Sequence, residues 1–131
     1  LVFLVICGYT TVKEEGYMLI EFKFSNYRSF RDEAVLSMEA TGRGHFESLI
    51  EYRPAGKSTN HPIHLLPAAA IYGKNGGGKS NVIRAFWLAV QFIRNAQRTQ
   101  HEKAPIPVRP FLLDDTSAAE PTRFEFTYVD Q

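Results

Sequence analysis

Residues 71–83 read IYGKNGGGKSNVI, and Gly73-Lys74-Asn75-Gly76-Gly77-Gly78-Lys79-Ser80 within them fills every fixed position of the pattern G-x-x-x-x-G-K-[ST]. Glycines at this spacing let the backbone curl until successive N–H groups point inward, the shape that cradles phosphate oxygens. A lysine at position 79 then reaches the β- and γ-phosphates, and the Ser80 hydroxyl takes a place on Mg²⁺. A side chain at Gly76 or Gly78 would crowd such a cradle. The pattern carries this meaning only if a strand enters the loop and a helix leaves it.

Both are expected. Upstream, residues 65–72 (LLPAAAIY) are uncharged and end at the first glycine, as in a parallel strand buried on both faces, with Pro67 confined to its start. Downstream, Val82, Ile83, Phe86, Ala89, Val90 and Ile93 recur at three- and four-residue steps. Arg84, Gln91, Arg94, Asn95 and Arg98 fall largely between them, which predicts an amphipathic helix to about residue 97. An anion in the loop would therefore sit at a helix N-terminus, where orphan N–H groups and the helix dipole favour negative charge.

The rest of the chain is organised around this unit. The alternation in MLIEFKF (18–24) predicts a strand with one wet face, followed by a turn over 25–31 and a second strand over 34–38, the two forming a hairpin. Residues 41–64 lack a steady period and read as a long loop, whose Arg43, Arg53 and Lys57 are more simply solvated than functional. Three prolines make 104–110 an extended connector, and Phe124, Phe126 and Tyr128 alternate with polar residues as a final strand. Met18 reads as the start of the domain, with residues 1–17 an upstream lead that is disordered or not native; the alternative is an extra N-terminal strand. The apolar run at 1–7 is too short for a bilayer, which needs roughly twenty residues, and lacks the basic flank of a secretory signal.

Composition sets limits. The chain has 131 residues, 44% of them hydrophobic and 22% charged, enough for one domain with a real core. A net charge of +1 offers no general field for nucleic-acid phosphates, so DNA is unsupported by charge. One cysteine, Cys7, excludes an internal disulfide framework and makes a reducing, cytoplasmic location the default. The histidines (45, 61, 64 and 101) show no metal-ligand spacing. Phe111-Leu112-Leu113-Asp114-Asp115 has an apolar run before an acidic pair, the way a P-loop ATPase places a carboxylate near Mg²⁺. The run is short, follows a proline and leads into Thr116-Ser117, so a strand-to-loop turn is the stronger reading.

The stretch MLIEFKFSNYRSF (18–30), taken with IYGKNGGGKSNVIRAF (71–86), resembles the N-terminal half of the RecF/SMC-like branch of ABC-type ATPases. Within that branch it is similar to the bacterial abortive-infection and overcoming-lysogenization-defect ATPases. The likeness spans residues 18–131 and rests on Asn-aromatic-basic-Ser-aromatic in the first turn and on asparagines at both Asn75 and Asn81. It implies an α/β P-loop NTPase lobe with an incomplete sheet, ATP and Mg²⁺ as cofactors, and a second protomer in a head-to-head dimer. It also implies that Arg28 touches the nucleotide while Asn26 shapes the turn. In relatives the signature segment, the acidic Mg²⁺ strand and the switch histidine lie further along, so residues 18–131 correspond to the ATP-binding lobe of a larger ATPase. Two alternatives stay open. One is a regulatory module that binds nucleotide without turnover. The other is a different P-loop enzyme, a GTPase or kinase, although neither Asn-Lys-x-Asp nor Asp-x-x-Gly occurs in the chain.

Overall fold

The computed structural model of the chain describes residues 4–7, 9–10, 17–42, 48–53, 62–102 and 107–130. Arg43, Lys57 and residues 104–106 of the Pro-rich connector lie outside them. In chain order the elements are β1 (Leu4–Cys7), β2 (Tyr9–Thr10), β3 (Tyr17–Ser25), β4 (Ala34–Ser37), β5 (Ile50–Tyr52), β6 (Ile63–Leu65), β7 (Ala68–Ile71), α1 (Lys79–Glu102), a short 3-10 turn (Ser117–Ala119) and β8 (Arg123–Asp130). β3 has β2 and β4 as neighbours, and β8 also pairs with it. The chain divides into two compact units, Leu1–Phe22 with Leu36–Tyr72 and Phe126–Gln131, and Lys23–Val35 with Gly73–Glu125.

The first unit is built of short antiparallel pairings. Met18, Leu65 and Val129 form its buried cluster, with Ile20, Ile50, Tyr52 and Ile63 packed against it, while the Phe22 ring lies 4.7 Å from that of Phe126. Each large side chain withdrawn from water here contributes about 1.5 to 3 kcal/mol. The segment after β4 is drawn in by its backbone, since Met38 N–H donates to Ile20 O and Leu66 N–H to Met38 O, both at 2.8 Å.

Two sequence expectations change in this unit. The long loop expected over 41–64 holds β5 and most of β6, paired through Ile50↔Leu65, Glu51↔His64 and Tyr52↔Ile63. Strands of three residues are too short to show a period, so their register is a tertiary fact. Arg53 is exposed and bonded to Glu51 across 2.6 Å. The single parallel strand expected over 65–72 divides at Leu66 and Pro67, because proline has no N–H for a ladder. Its second piece, β7, runs antiparallel to β1 (Leu4↔Ile71 to Cys7↔Ala68). Ala68 and Ala70 of β7 are exposed, so it is not buried on both faces, and its sheet has two strands among the described residues. Within the first seventeen residues, Leu4–Cys7 and Tyr9–Thr10 are paired strands, the latter against Tyr17 and Met18 of β3.

The second unit is an aromatic cluster capped by α1. Phe24 meets Phe30 edge-on at 4.9 Å, Tyr27 meets Phe124 at 5.7 Å, and Phe92 of α1 lies 6.3 Å from Phe124. The helix runs to Glu102, five residues past the expected end, since the polar residues after 97 are adequate helix formers and the block comes only with Pro105. Among its residues whose burial is described, Ala85, Leu88 and Ala89 are buried, whereas Ile93 is 66% exposed. The stripe is thus rotated from the one read off the sequence.

Candidate functional site

Every residue of the site belongs to the second unit. β7 ends at Ile71, the backbone turns through 73–78, and α1 opens at Lys79, so a strand does enter the loop and a helix does leave it. Gly76 and Gly78 hold φ of +80° and +84°, the left-handed region that only glycine adopts cheaply. Their needs differ. A Cβ at Gly78 would lie 2.9 Å from Cζ of Phe30 and 3.3 Å from Oγ of Ser29, whereas one at Gly76 would meet nothing within 4 Å. The crowding expected at both positions therefore holds for Gly78, while at Gly76 the backbone angle is what excludes a side chain.

The helix start is well defined. Asn81 N–H and Val82 N–H donate to Gly78 O at 2.8 and 3.1 Å, which leaves the amides of Lys79 and Ser80 as the orphan donors of the first turn. Lys79 Nζ donates to Gly73 O at 2.7 Å and to Lys74 O at 2.6 Å. Two of the three ammonium hydrogens thus tie the lysine across the mouth of the loop, and the third remains for an anion. Lys74, Asn75, Gly76 and Gly77 form the exposed rim, and Ser80 is exposed at the second helical position. Positive charge, orphan amides and a hydroxyl on one small surface fit a polyphosphate with its divalent cation.

The turn over 26–31 is the site's second component. Tyr27 N–H donates to Phe30 O and Phe30 N–H to Tyr27 O, closing a two-residue hairpin whose first central residue, Arg28, has φ +52°. Tight hairpins of this kind usually place glycine there. The conformation is held by Arg28 N–H on Arg109 O at 2.9 Å and by the guanidinium over the Tyr27 ring, 5.6 Å from its centroid, with Nε donating to the Tyr27 hydroxyl. The residues of this turn that meet the loop are Ser29 and Phe30. Asn81 Nδ2 donates to Ser29 Oγ at 2.8 Å, and Phe30 packs on Gly78. The sequence motif contained both residues, yet which of them faces the loop is set by the left-handed angle at Arg28.

Asn26 anchors the turn from behind. It is 4% exposed, with φ +50°. Its Nδ2 donates to Ser117 O and Glu120 O at 2.8 Å, its Oδ1 accepts from Phe111 N–H, and its carbonyl accepts from Thr122 Oγ1. Asp114 completes this support and is no candidate for a metal. Its carboxylate accepts from Ser117 N–H at 2.7 Å, from Ser117 Oγ at 2.8 Å and from Thr116 N–H at 3.1 Å, and pairs with Arg31 at 3.0 Å. Residues 111–113 form no strand, and Leu112 and Leu113 are exposed. The acidic pair is a turn.

Hydrogen bonds from the Ser117 amide and then its hydroxyl hold the Asp114 carboxyl below its ordinary value, outweighing a smaller opposing effect of burial. A depressed carboxylate contributes stability that is complete above its unfolded value near 3.8 and lost as pH falls through its lower folded value. Denaturation midpoints followed from pH 6 down to about pH 2.5 should therefore drop more steeply for the natural chain than for Asp114→Asn. Parallel curves would show that Asp114 contributes no such linkage.

Comparison with known proteins agrees with this geometry. The model of the family described as "AAA domain, putative AbiEii toxin, Type IV TA system" matches residues 68–131, from β7 through the glycine loop and α1 to the end of β8. The match supports an AAA-type ATPase, and the mixture of strands and helix in small open sheets is consistent with part of a P-loop NTPase domain. No curated protein and no solved structure matches the chain. Among the described residues no helix is long and apolar enough to cross a membrane.

Proposed function

We propose that the chain binds Mg·ATP through residues 73–81 and serves as the ATP-binding lobe of a RecF/SMC-like ATPase of the abortive-infection type, acting in phage defence or DNA maintenance. The observation that carries the reading is Lys79, strapped to two loop carbonyls beside the orphan amides of its own helix. On this reading the amides and Lys79 hold the phosphates, Asn75 and Lys74 form the rim, and Ser80 is the residue that would hold Mg²⁺, which when bound neutralises phosphate charge. The protein then works in the cytoplasm, where ATP is supplied, and pairs with a second protomer that closes the nucleotide face. Titration with a fluorescent ATP analogue should give saturable, Mg²⁺-dependent binding that unlabelled ATP competes away. Failure to saturate would sink the proposal.

Turnover is a separate matter. Hydrolysis needs a positioned water and a carboxylate to orient it, and Asp114 is committed to its turn. The second reading is a nucleotide-gated module that binds without hydrolysis. Phosphate release above background from this chain alone, abolished by Asp115→Asn, would exclude it.

Arg28 supplies a further test. A non-glycine residue at φ +52° costs of order 1 to 3 kcal/mol, and such strain is characteristic of functional positions. Arg28→Gly should keep or raise the thermal midpoint while lowering ATP affinity about tenfold or more, the worth of one charge-assisted contact. An unchanged affinity would remove Arg28 from the nucleotide site.

A further inference from the structure

We infer that Ser29 is a positioning residue for the phosphate loop, holding both ends of the short stretch that carries Lys79 and Ser80. The inference rests on the nucleotide reading above and concerns how its affinity is set. Ser29 Oγ accepts the Asn81 side-chain amide at 2.8 Å on the helix side of Lys79 and Ser80. On the loop side the same oxygen would lie 3.3 Å from a Cβ at Gly78, next to the Phe30 ring at 2.9 Å. Lys79 and Ser80 thus lie between Gly78, which the turn packs beside, and Asn81, which it bonds.

The bracket is itself aligned. Arg84 donates to Asn81 Oδ1 at 3.3 Å, so the Asn81 amide presents its NH₂ to Ser29. Asn81 N–H and Val82 N–H both end on Gly78 O, which closes the stretch 78–82 into one hydrogen-bonded ring. Ser29 is exposed, so its hydroxyl adds little to the core. What it supplies is a tie from the turn to the start of the helix, three residues after Gly78, a glycine whose backbone would otherwise sample many conformations. A loop prepared in its binding shape loses less entropy when the anion arrives, and the gain appears as affinity.

The test is a double-mutant cycle read with fluorescent Mg·ATP analogue on the whole chain. Ser29→Ala and Asn81→Ala should each weaken binding about three- to tenfold, the worth of one hydrogen bond. The double variant should lose no more than the larger single loss. Thermal midpoints should stay near that of the natural chain, and Ser29→Thr, which keeps the hydroxyl, should restore most of the affinity. Additive losses, or a midpoint that falls in step with affinity, would overturn the inference. Natural affinity in Ser29→Ala, alongside weakened binding in Lys79→Ala, would overturn it while leaving the nucleotide reading intact. Undiminished binding in Lys79→Ala would instead remove that reading, and this inference with it.

Discussion

Lys79→Ala is expected to weaken binding of an ATP analogue by at least ten- to a hundredfold while leaving the chain folded. The ammonium offers a charge-assisted hydrogen bond to phosphate, worth about 1.5 to 3 kcal/mol, and alanine offers none. A second loss adds to the first. The bonds from Nζ to Gly73 O and Lys74 O fasten the start of the loop to the start of the helix, and the variant leaves both carbonyls to water. Lys79→Arg should not rescue, because a planar guanidinium on a longer stem cannot place point charge between two carbonyls in the same way. Isothermal titration on both variants, with circular dichroism as the check on folding, decides the matter. Full affinity in folded Lys79→Ala would end the phosphate-loop interpretation.

Asn26→Ala should cause the largest loss of stability, about 3 to 5 kcal/mol and a thermal midpoint lower by about 10 to 20 °C. The side chain satisfies two carbonyls and one amide, and removal leaves those groups without partners, at about 1 to 3 kcal/mol each where burial is complete. Alanine is also less at ease than asparagine at φ +50°. Asn26→Asp separates the two causes. It keeps an acceptor for Phe111 N–H but turns a carboxylate toward the carbonyls of Ser117 and Glu120, so it too should be strongly destabilised. Chemical denaturation that puts Asn26→Asp near the natural chain would show that the amide donors do not matter.

The parts of the fold legible in the sequence were those whose signal is local. Glycines, lysine and serine at fixed spacing announce the loop, and the apolar-charged alternation before Ser25 announces β3. The buried face of α1 was not legible for a physical reason. Val82, Ile83, Phe86, Trp87, Leu88, Val90, Phe92 and Ile93 are apolar almost all round the helix, so period alone cannot choose between faces. Packing chose the one with Ala85 and Ala89, whose small side chains permit close approach. The β5–β6 pair and the antiparallel partner of β7 depend on residues far apart in the chain, for which a single sequence carries no local sign. Within the site, the loop could be read directly, whereas the contacts of Ser29 and Phe30 depend on a backbone angle that arginine seldom adopts.

The Asn81–Ser29 bond joins residues 52 apart in sequence. Making it encloses a stretch of chain containing β4, β5, β6 and β7, at an entropic cost that grows slowly with its length. A peptide carrying only the glycine loop and its helix would hold the right letters in a slack backbone. Helix α1 draws its backbone bonds from its own residues, whereas the contacts beside Gly78 need the turn at 26–31. A lesion in that distant turn should therefore loosen the loop in amide hydrogen exchange while leaving α1 protected.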